Sequence, residues 1–341
     1  MLQSEGNRIM SDLVEDYRLL GFPDKDMYEF PNIVNVEVYR GTCPCRCVHC
    51  PVGITSPKYR YERFGNKGIN LKLFNKIVDE VSEHSHASLR IHSVGEPLDW
   101  PGIGDALKLH NKSVKFWLFT SAVTSDMPLL ETVCENTDIV EVSVNSTTLE
   151  DYKATKGINA FEKVRGNIEF MRKFIEQKGL NTRLIVSRVQ STDQAKDDEF
   201  VHFWKSSSLV DDAFVRTYHT YNSLMDGLET GIIDKNHEAC LVHWARFNIN
   251  VDGYAIVCFN ELFKEHLHPS LIYGDVKAQT IAEIWKGNKL TALRRAELSG
   301  DYSSCSFGDA LPCKHCFYCQ PLFGDRQTSE YQVKFIGKKN A

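Results

Sequence analysis

The eleven cysteines of this 341-residue chain are unevenly placed: four lie in one short stretch, one stands alone at Cys134, and six fall between Cys240 and Cys319. The first stretch is Tyr39-Arg-Gly-Thr-Cys-Pro-Cys-Arg-Cys-Val-His-Cys50, in which Cys43, Cys47 and Cys50 are spaced C-x3-C-x2-C with the aromatic His49 before the last. Thiolates are the soft ligands that iron–sulfur clusters use, and three so close can hold three irons of a [4Fe–4S] cube. The fourth iron then lacks a protein ligand and can bind and reduce a small molecule. The alternative at this point is structural zinc, with Cys45 or His49 as a fourth ligand.

Composition narrows the setting. The net charge is −5, with both signs mixed along the chain. That balance gives no electrostatic grip on nucleic acid or an anionic membrane. Apolar runs such as Val114 to Phe119 are far too short to cross a bilayer, and the first residues lack the basic-then-apolar layout of a signal peptide. The expectation is a soluble, cytoplasmic protein, where many cysteines argue for metal or redox chemistry and not for disulfides. No internal repeat or low-complexity segment is visible.

The elements that must position the cysteines can be read from periodicity. Residues 1 to about 30 form a helical lead-in ending near Pro31. Ile33–Tyr39 alternates as a strand does, and the cysteine loop follows it directly. Leu71, Phe74, Ile77, Val78 and Val81 then mark one stripe of a helix. Further strands are expected at 87–92, 115–120, 139–144, 182–189 and 213–218, with helices at 103–110, 128–135, 161–177 and 194–205. Six strand–helix units in series imply a parallel sheet with right-handed crossovers, an α/β partial (β/α)6 TIM-like barrel whose site lies at the carboxy-terminal mouth of the strands. The cysteine loop, Gly95-Glu96, Ser143–Asn145 and Arg216 all fall at that mouth. The histidines His84, His86 and His110 read as core or surface residues, and Cys134 as a buried apolar one.

The cysteine loop resembles the signature of the radical S-adenosylmethionine (radical SAM) enzymes, and the order of elements over roughly residues 30 to 220 supports that resemblance. What it implies is a [4Fe–4S] cluster on Cys43, Cys47 and Cys50 that binds S-adenosylmethionine, with His49 beside it. One electron then cleaves the cofactor to methionine and a 5′-deoxyadenosyl radical. Ser93-Val-Gly-Glu-Pro97 resembles the family's G-G-E-P segment, with valine in place of the first glycine. By that resemblance Gly95, Glu96 and Pro97 receive the amino group of the cofactor. Ser143 and Asn145 stand where the family binds ribose hydroxyls, and Lys156 where relatives carry a basic residue for the carboxylate. Ser187 is a further position of that pocket.

After about residue 225 the pattern changes. Cys240 and Cys258 are spaced C-x12-G-x4-C, and Asp252-Gly253 between alternating runs signals a hairpin that brings the two together. A helix opens at Ile281–Trp285, and Cys305, Cys313, Cys316 and Cys319 follow. Two cysteines on a hairpin plus C-x2-C is also zinc-ribbon spacing. The segment resembles the SPASM/twitch extension of radical SAM enzymes. It lacks the full SPASM block after Cys319, which favours the shorter twitch form with one auxiliary [4Fe–4S] cluster on Cys240, Cys258, Cys313 and Cys316. Cys305 or Cys319 could replace one of the last two. The domains expected are a lead-in over 1–30, the barrel over 31–225 and an α+β auxiliary-cluster domain over 226–341.

A closed auxiliary cluster suits electron transfer. The first expectation is therefore a radical SAM oxidoreductase that dehydrogenates an alcohol carbon of a sugar, aminocyclitol or similar small polar metabolite. Arg216 is the candidate group for the hydroxyl proton, although guanidinium is a poor base. An external one-electron donor such as flavodoxin or ferredoxin is implied. Epimerisation is the second reading, with Cys45, Cys305 or Cys319 as hydrogen donor. Peptide maturation is third, because about 30 residues before the first strand are too few for a leader-binding domain. A non-catalytic iron–sulfur or zinc scaffold stands as the non-enzyme alternative.

Overall fold

The computed structural model describes residues 26–111, 113–225, 240–303 and 305–316. Cys319 and most of the lead-in lie outside the described residues; within the lead-in Asp26–Glu29 is a short helix.

All six expected strands are present. In chain order the strands are β1 (Ile33–Arg40), β2 (Lys67–Gly68), β3 (Ser88–Val94), β4 (Lys115–Thr120), β5 (Ile139–Ser143), β6 (Arg183–Val189) and β7 (Asp212–Arg216). Apart from the two-residue β2, they pair in parallel in the order β1-β3-β4-β5-β6-β7. This is the sheet of a partial TIM-like barrel.

Alternation gives the sheet two distinct faces. Val34, Val36 and Val38 of β1, Leu89 and Ile91 of β3 and Phe116 and Leu118 of β4 face the helices and share one core with Phe74, Ile77, Val78 and Val81. Those four are the buried stripe of the helix Leu71–Ser82, whose first turn is capped by the Asn70 side chain accepting from the Lys72 and Leu73 amides. Residues one step along each strand face inward. Trp117, Ile139, Ile185 and Phe214 form a small apolar plug, and Asn35, Glu37, Arg90, Glu141, Arg246 and Asn248 are buried polar residues of the strands. The helix expected over 103–110 stops at Leu107, because His110 turns to pair with Asp138 at 3.0 Å.

Three further strands, β8 (Arg246–Ile249), β9 (Tyr254–Ile256) and β10 (Ile272–Asp275), form an antiparallel meander. The β8–β9 turn holds the expected Asp252-Gly253, with Gly253 at φ +84° and the Asn250 side chain accepting from the Asp252 and Tyr254 amides. β8 runs parallel to the first half of β1, from Ile33↔Arg246 to Val36↔Ile249. The meander therefore continues the barrel sheet at the edge of β1 away from β3. Two polar contacts lock this junction: Asn35 donates to the Asn248 side chain at 2.8 Å, and Glu37 accepts from the Val251 amide at 3.0 Å.

Glu37 is fully buried, and burial pushes its carboxyl up to about 7, against the pull of Arg40 and the Val251 amide. A carboxyl with a raised folded pKa binds its proton more tightly when folded. Its contribution is most favourable below about 4.5, the unfolded value, and declines as pH rises toward 7. The difference is worth about 3 kcal/mol. Urea melts between about pH 4 and 8 should show wild-type stability losing this increment relative to Glu37→Gln. Parallel profiles for the two proteins would show that Glu37 does not ionise in this range.

Candidate active site

The cysteine loop sits at the end of β1 and is held from three sides. Arg46 and Val48 donate backbone hydrogen bonds to Lys156 and Thr155 carbonyls at 2.8 and 3.1 Å, docking the loop on the end of the helix Leu149–Lys156. The Glu96 amide donates to Thr42 at 2.9 Å, tying the loop to the G-E-P turn. From the third side comes Arg60, on the helix Pro57–Phe64 and only 8% exposed. Its guanidinium donates to the Cys43, Cys45, Thr55 and Gly53 carbonyls at 2.8 to 3.2 Å. Sequence reading passes over Arg60, because nothing in a helix of exposed residues distinguishes the one that points into the loop.

The G-E-P turn is built differently from its expected role. Gly95 has φ +140°, and a Cβ there would lie 2.7 Å from the Thr42 carbonyl oxygen. Glycine is required by both the backbone angle and the closeness of the cysteine loop. The Glu96 carboxylate accepts from the Leu98 amide (3.2 Å) and Thr120 hydroxyl (2.5 Å) on one oxygen. On the other it accepts from the Ser121 amide (2.8 Å) and Ser121 hydroxyl (2.6 Å). Four donors occupy the acceptor positions a carboxylate has. In this arrangement Glu96 pins the turn to the end of β4, and Pro97 opens the short 3-10 turn Pro97–Asp99 that follows.

The remaining expected cofactor residues do converge. Lys156 is 2% exposed and donates from Nζ to the Ser143 hydroxyl at 3.0 Å. Burial works against its charge, but Cys47, Cys45 and Cys43 outweigh it and the ammonium is held above its ordinary range. Asn145, in the left-handed region at φ +67°, donates from Nδ2 to His49 Nε2 at 3.0 Å and accepts from the Val189 amide at 2.8 Å. Burial, then Lys156, lowers His49 to about 3, so the imidazole is neutral and can accept that bond. Ser187 contributes its backbone carbonyl, which receives the Val144 and Asn145 amides. Gly157, at φ +68°, closes the helix Leu149–Lys156 where a Cβ would strike the Arg46 carbonyl.

The donor set suits a cluster. Cys43 and Cys47 both hydrogen-bond Cys45, and that contact followed by burial pushes their thiols well up. The Cys50 thiol, also raised by burial, accepts from the Gly53 and Val52 amides. Such thiols ionise together only when cations join them. Iron would be a cation of that kind, since thiolates are its soft ligands. Cys45 lies among them, 1% exposed.

The second cysteine group borders a cavity of about 280 Å³. Cys240, Cys258, Cys313 and Cys316 all line it. Cys305 does not; it packs in the core and its thiol contacts the Ala292 carbonyl at 3.6 Å. Behind Cys240, His243 is 2% exposed and pairs with Glu297 at 2.6 Å, while Trp244 donates to the other Glu297 oxygen at 2.8 Å. Burial opposes the His243 charge, but Glu297 lifts its pKa to about 9. Among the described residues no three His, Cys, Asp or Glu side chains are gathered as ligands of one ion. The four cysteines border one space.

The cavity also reaches the first group. Tyr221 lines it, packs in one cluster with Cys43 and Cys50, and has its hydroxyl pushed well up by burial and by the charges of Cys50 and Cys47. Barrel residues Arg90, His92, Phe119, Arg216 and His219 form the floor between the two cysteine groups. Arg216 donates from Nε to Glu141 at 2.6 Å and from Nη2 to its second oxygen. Glu141, the partner that fixes Arg216, was not anticipated from sequence.

Residues 240–320 match the family model of SPASM, an iron–sulfur cluster-binding domain. That segment is a SPASM domain, and it follows a partial TIM-like barrel. The match decides iron–sulfur over zinc for the carboxy-terminal cysteines, and it is to SPASM by name where the spacing favours the twitch form. Solved structures share the fold. BtrN in complex with AdoMet and 2-DOIA superposes with a TM-score of 0.52 at 14% identity, covering 84% of this chain and 92% of that one. anSMEcpe with bound AdoMet and Cp18Cys peptide gives 0.54 at 15%, covering 89% and 94%. Streptococcus suis SuiB bound to precursor peptide SuiA gives 0.57 at 13%, covering 77% of this chain and 66% of SuiB, so the chain spans just under two thirds of that protein. No curated protein matches the sequence. No helix of the described residues is long and apolar enough to cross a membrane. The matched domain binds an iron–sulfur cluster, and AdoMet is bound in the BtrN and anSMEcpe structures.

Removing the Arg60 fork leaves four loop carbonyls without their donors, at about 1–3 kcal/mol for each that stays dry. Arg60→Ala should therefore release iron from the loop site to a chelator at least tenfold faster than wild type, while Arg60→Lys, which keeps the charge but not the fork, falls between. Equal release rates in all three would mean the clamp does not hold the loop.

Proposed function

We propose that the chain is a radical SAM oxidoreductase that removes two hydrogens from an alcohol carbon of a small polar substrate bound in the cavity. The observation that supports this reading is the cavity itself: one space is lined both by Tyr221, which packs in one cluster with Cys43 and Cys50, and by four cysteines of the SPASM segment. When bound, the cofactors supply a hydrogen-abstracting radical at Cys43, Cys47 and Cys50 and an electron acceptor at Cys240, Cys258, Cys313 and Cys316. The chain's own residues do the rest. Lys156, Ser143, Asn145 and His49 hold the cofactor side, with Glu96 fixing the turn. Arg216 cannot take the hydroxyl proton, since its guanidinium is protonated and committed to Glu141. His219 is the better acceptor: it lines the cavity and is kept neutral, lowered to about 4 by burial and then by Arg246 and Arg216. Arg216 becomes a positioning group.

Of the hydrogen donors that epimerisation would use, Cys45 and Cys305 do not line the cavity, and Cys319 lies outside the described residues. Peptide modification stands second, supported by the peptides named in the SuiB and anSMEcpe structures. A flavodoxin- or ferredoxin-type donor and a cytoplasmic setting belong to the same proposal.

The test is anaerobic turnover of reconstituted protein with S-adenosylmethionine, dithionite and a panel of polyols, aminocyclitols and sugar acids, read by mass. Product two hydrogens lighter than substrate is expected. Cys47→Ala should abolish cofactor cleavage, whereas Cys258→Ala should keep cleavage and lose oxidation. His219→Gln should lower kcat by about 10²–10⁴. Deuterium gained from solvent without oxidation would establish epimerisation instead, and cleavage unaffected by Cys47→Ala would sink the whole reading.

A further inference from the structure

From the charges inside the barrel we infer that the substrate is an anion, carrying a carboxylate or phosphate received by Arg90 and Arg246. The inference deepens the reading above by naming the substrate class of the same cavity, and it rests on that reading for the cavity being the substrate site. Three arginines line the cavity: Arg90 on β3, Arg216 on β7 and Arg246 on β8. Arg216 is neutralised by Glu141 through two hydrogen bonds. Arg246 is 8% exposed and has only the cysteines 240 and 258 near enough to favour its charge. Arg90, 3% exposed, has only Glu141, already taken by Arg216. The Nε atoms of Arg90 and Arg246 are both buried without a hydrogen-bond partner. Arg90 is held against the faces of Phe119 and Trp117, at 4.5 and 5.3 Å. Stacking of this kind fixes the guanidinium plane while Nε stays unpaired.

Neighbouring amides point the same way. Asn35 stands in register with Arg90 on one side and Asn248 on the other, so the three share a row across β3, β1 and β8. Their mutual hydrogen bond leaves Asn248 Nδ2 buried without an acceptor and Asn35 Oδ1 buried without a donor. Unused donors on Arg90, Arg246 and Asn248, beside guanidinium groups with no carboxylate of their own, are costly in a buried space that stays empty. An anion with two or more oxygens is the ligand that satisfies them, since planar guanidinium matches carboxylate and phosphate alike.

Binding can be measured on the reconstituted holoenzyme without reductant, by titration calorimetry at low ionic strength with inorganic phosphate and, separately, succinate as probes. Saturable binding of at least one is expected, and the tighter probe identifies the headgroup. Arg90→Gln should weaken it about tenfold to a hundredfold, the range for a charge-assisted hydrogen bond. Arg90→Lys should recover part of the loss, with circular dichroism and iron content checking that each variant is folded and loaded. Absence of binding by both probes, or equal binding by Arg90→Gln, would overturn the inference and leave the SPASM thiolates as the counter-charge for the arginines. Because no turnover is involved, failed turnover with intact anion binding would count against the dehydrogenase reading alone.

Discussion

The parallel pairing of β8 with β1 is the constraint on which the rest depends. A hairpin carrying cysteines could pack against a barrel in many ways. Here Ile33↔Arg246 through Val36↔Ile249 fixes the SPASM segment to the strand that ends in the cysteine loop. Register sets which side chains face inward, because a one-residue slip would turn Arg246 and Asn248 toward the helices and Phe247 into the cavity. The Asn35–Asn248 bond and the reach of Glu37 to Val251 specify that register with polar groups, each of which would be left buried and unpaired by a slip.

From that junction the distance between chemistries follows. The loop cysteines leave from the carboxy-terminal end of β1, and Cys240 enters just before β8 through the helix Leu241–Trp244. Glu297 of the helix Asn288–Ser299 holds His243 and Trp244, and Arg294 of the same helix donates to the His243 carbonyl at 2.8 Å. That network ties the short helix after Cys240 to the helix Asn288–Ser299. Hydrogen-bonded continuity of the sheet thus sets the second cysteine group around the cavity, whose lining also includes Tyr221 from the cluster that holds Cys43 and Cys50.

Much of this was legible in the sequence, for identifiable reasons. The C-x3-C-x2-C loop, the six alternating runs and Asp252-Gly253 are local signals, and each appears where its spacing puts it. Cys240, Cys258, Cys313 and Cys316 could be brought together by resemblance, and they do line one cavity. What sequence could not supply was direction. Asn35, Arg90, Glu141, Arg246 and Asn248 are polar residues inside otherwise apolar strands, a pattern that marks an inward face once the sheet is known to be covered by helices on the other. Only the fold says that these faces meet. Glu96 shows the converse limit: the motif is present, but its carboxylate is filled by Thr120 and Ser121, residues the motif does not include.

The inward faces explain why a cavity exists at all. Below it, Trp117, Ile139, Ile185 and Phe214 fill the barrel with apolar volume. Above that plug the strands switch to arginine, asparagine and glutamate, which pack poorly together and repel where their charges match. Burial, then Arg90, Arg216 and Arg246, lowers the proton affinity of His92, and burial, then Arg246 and Arg216, lowers that of His219. Neutral imidazoles and stacked guanidiniums are therefore one electrostatic unit. The same positive field that keeps His219 unprotonated favours an anion in the space beside it, so in the proposed reading substrate binding and proton removal depend on a single set of charges. In that reading the negative charge of thiolate-bound clusters would balance the arginines.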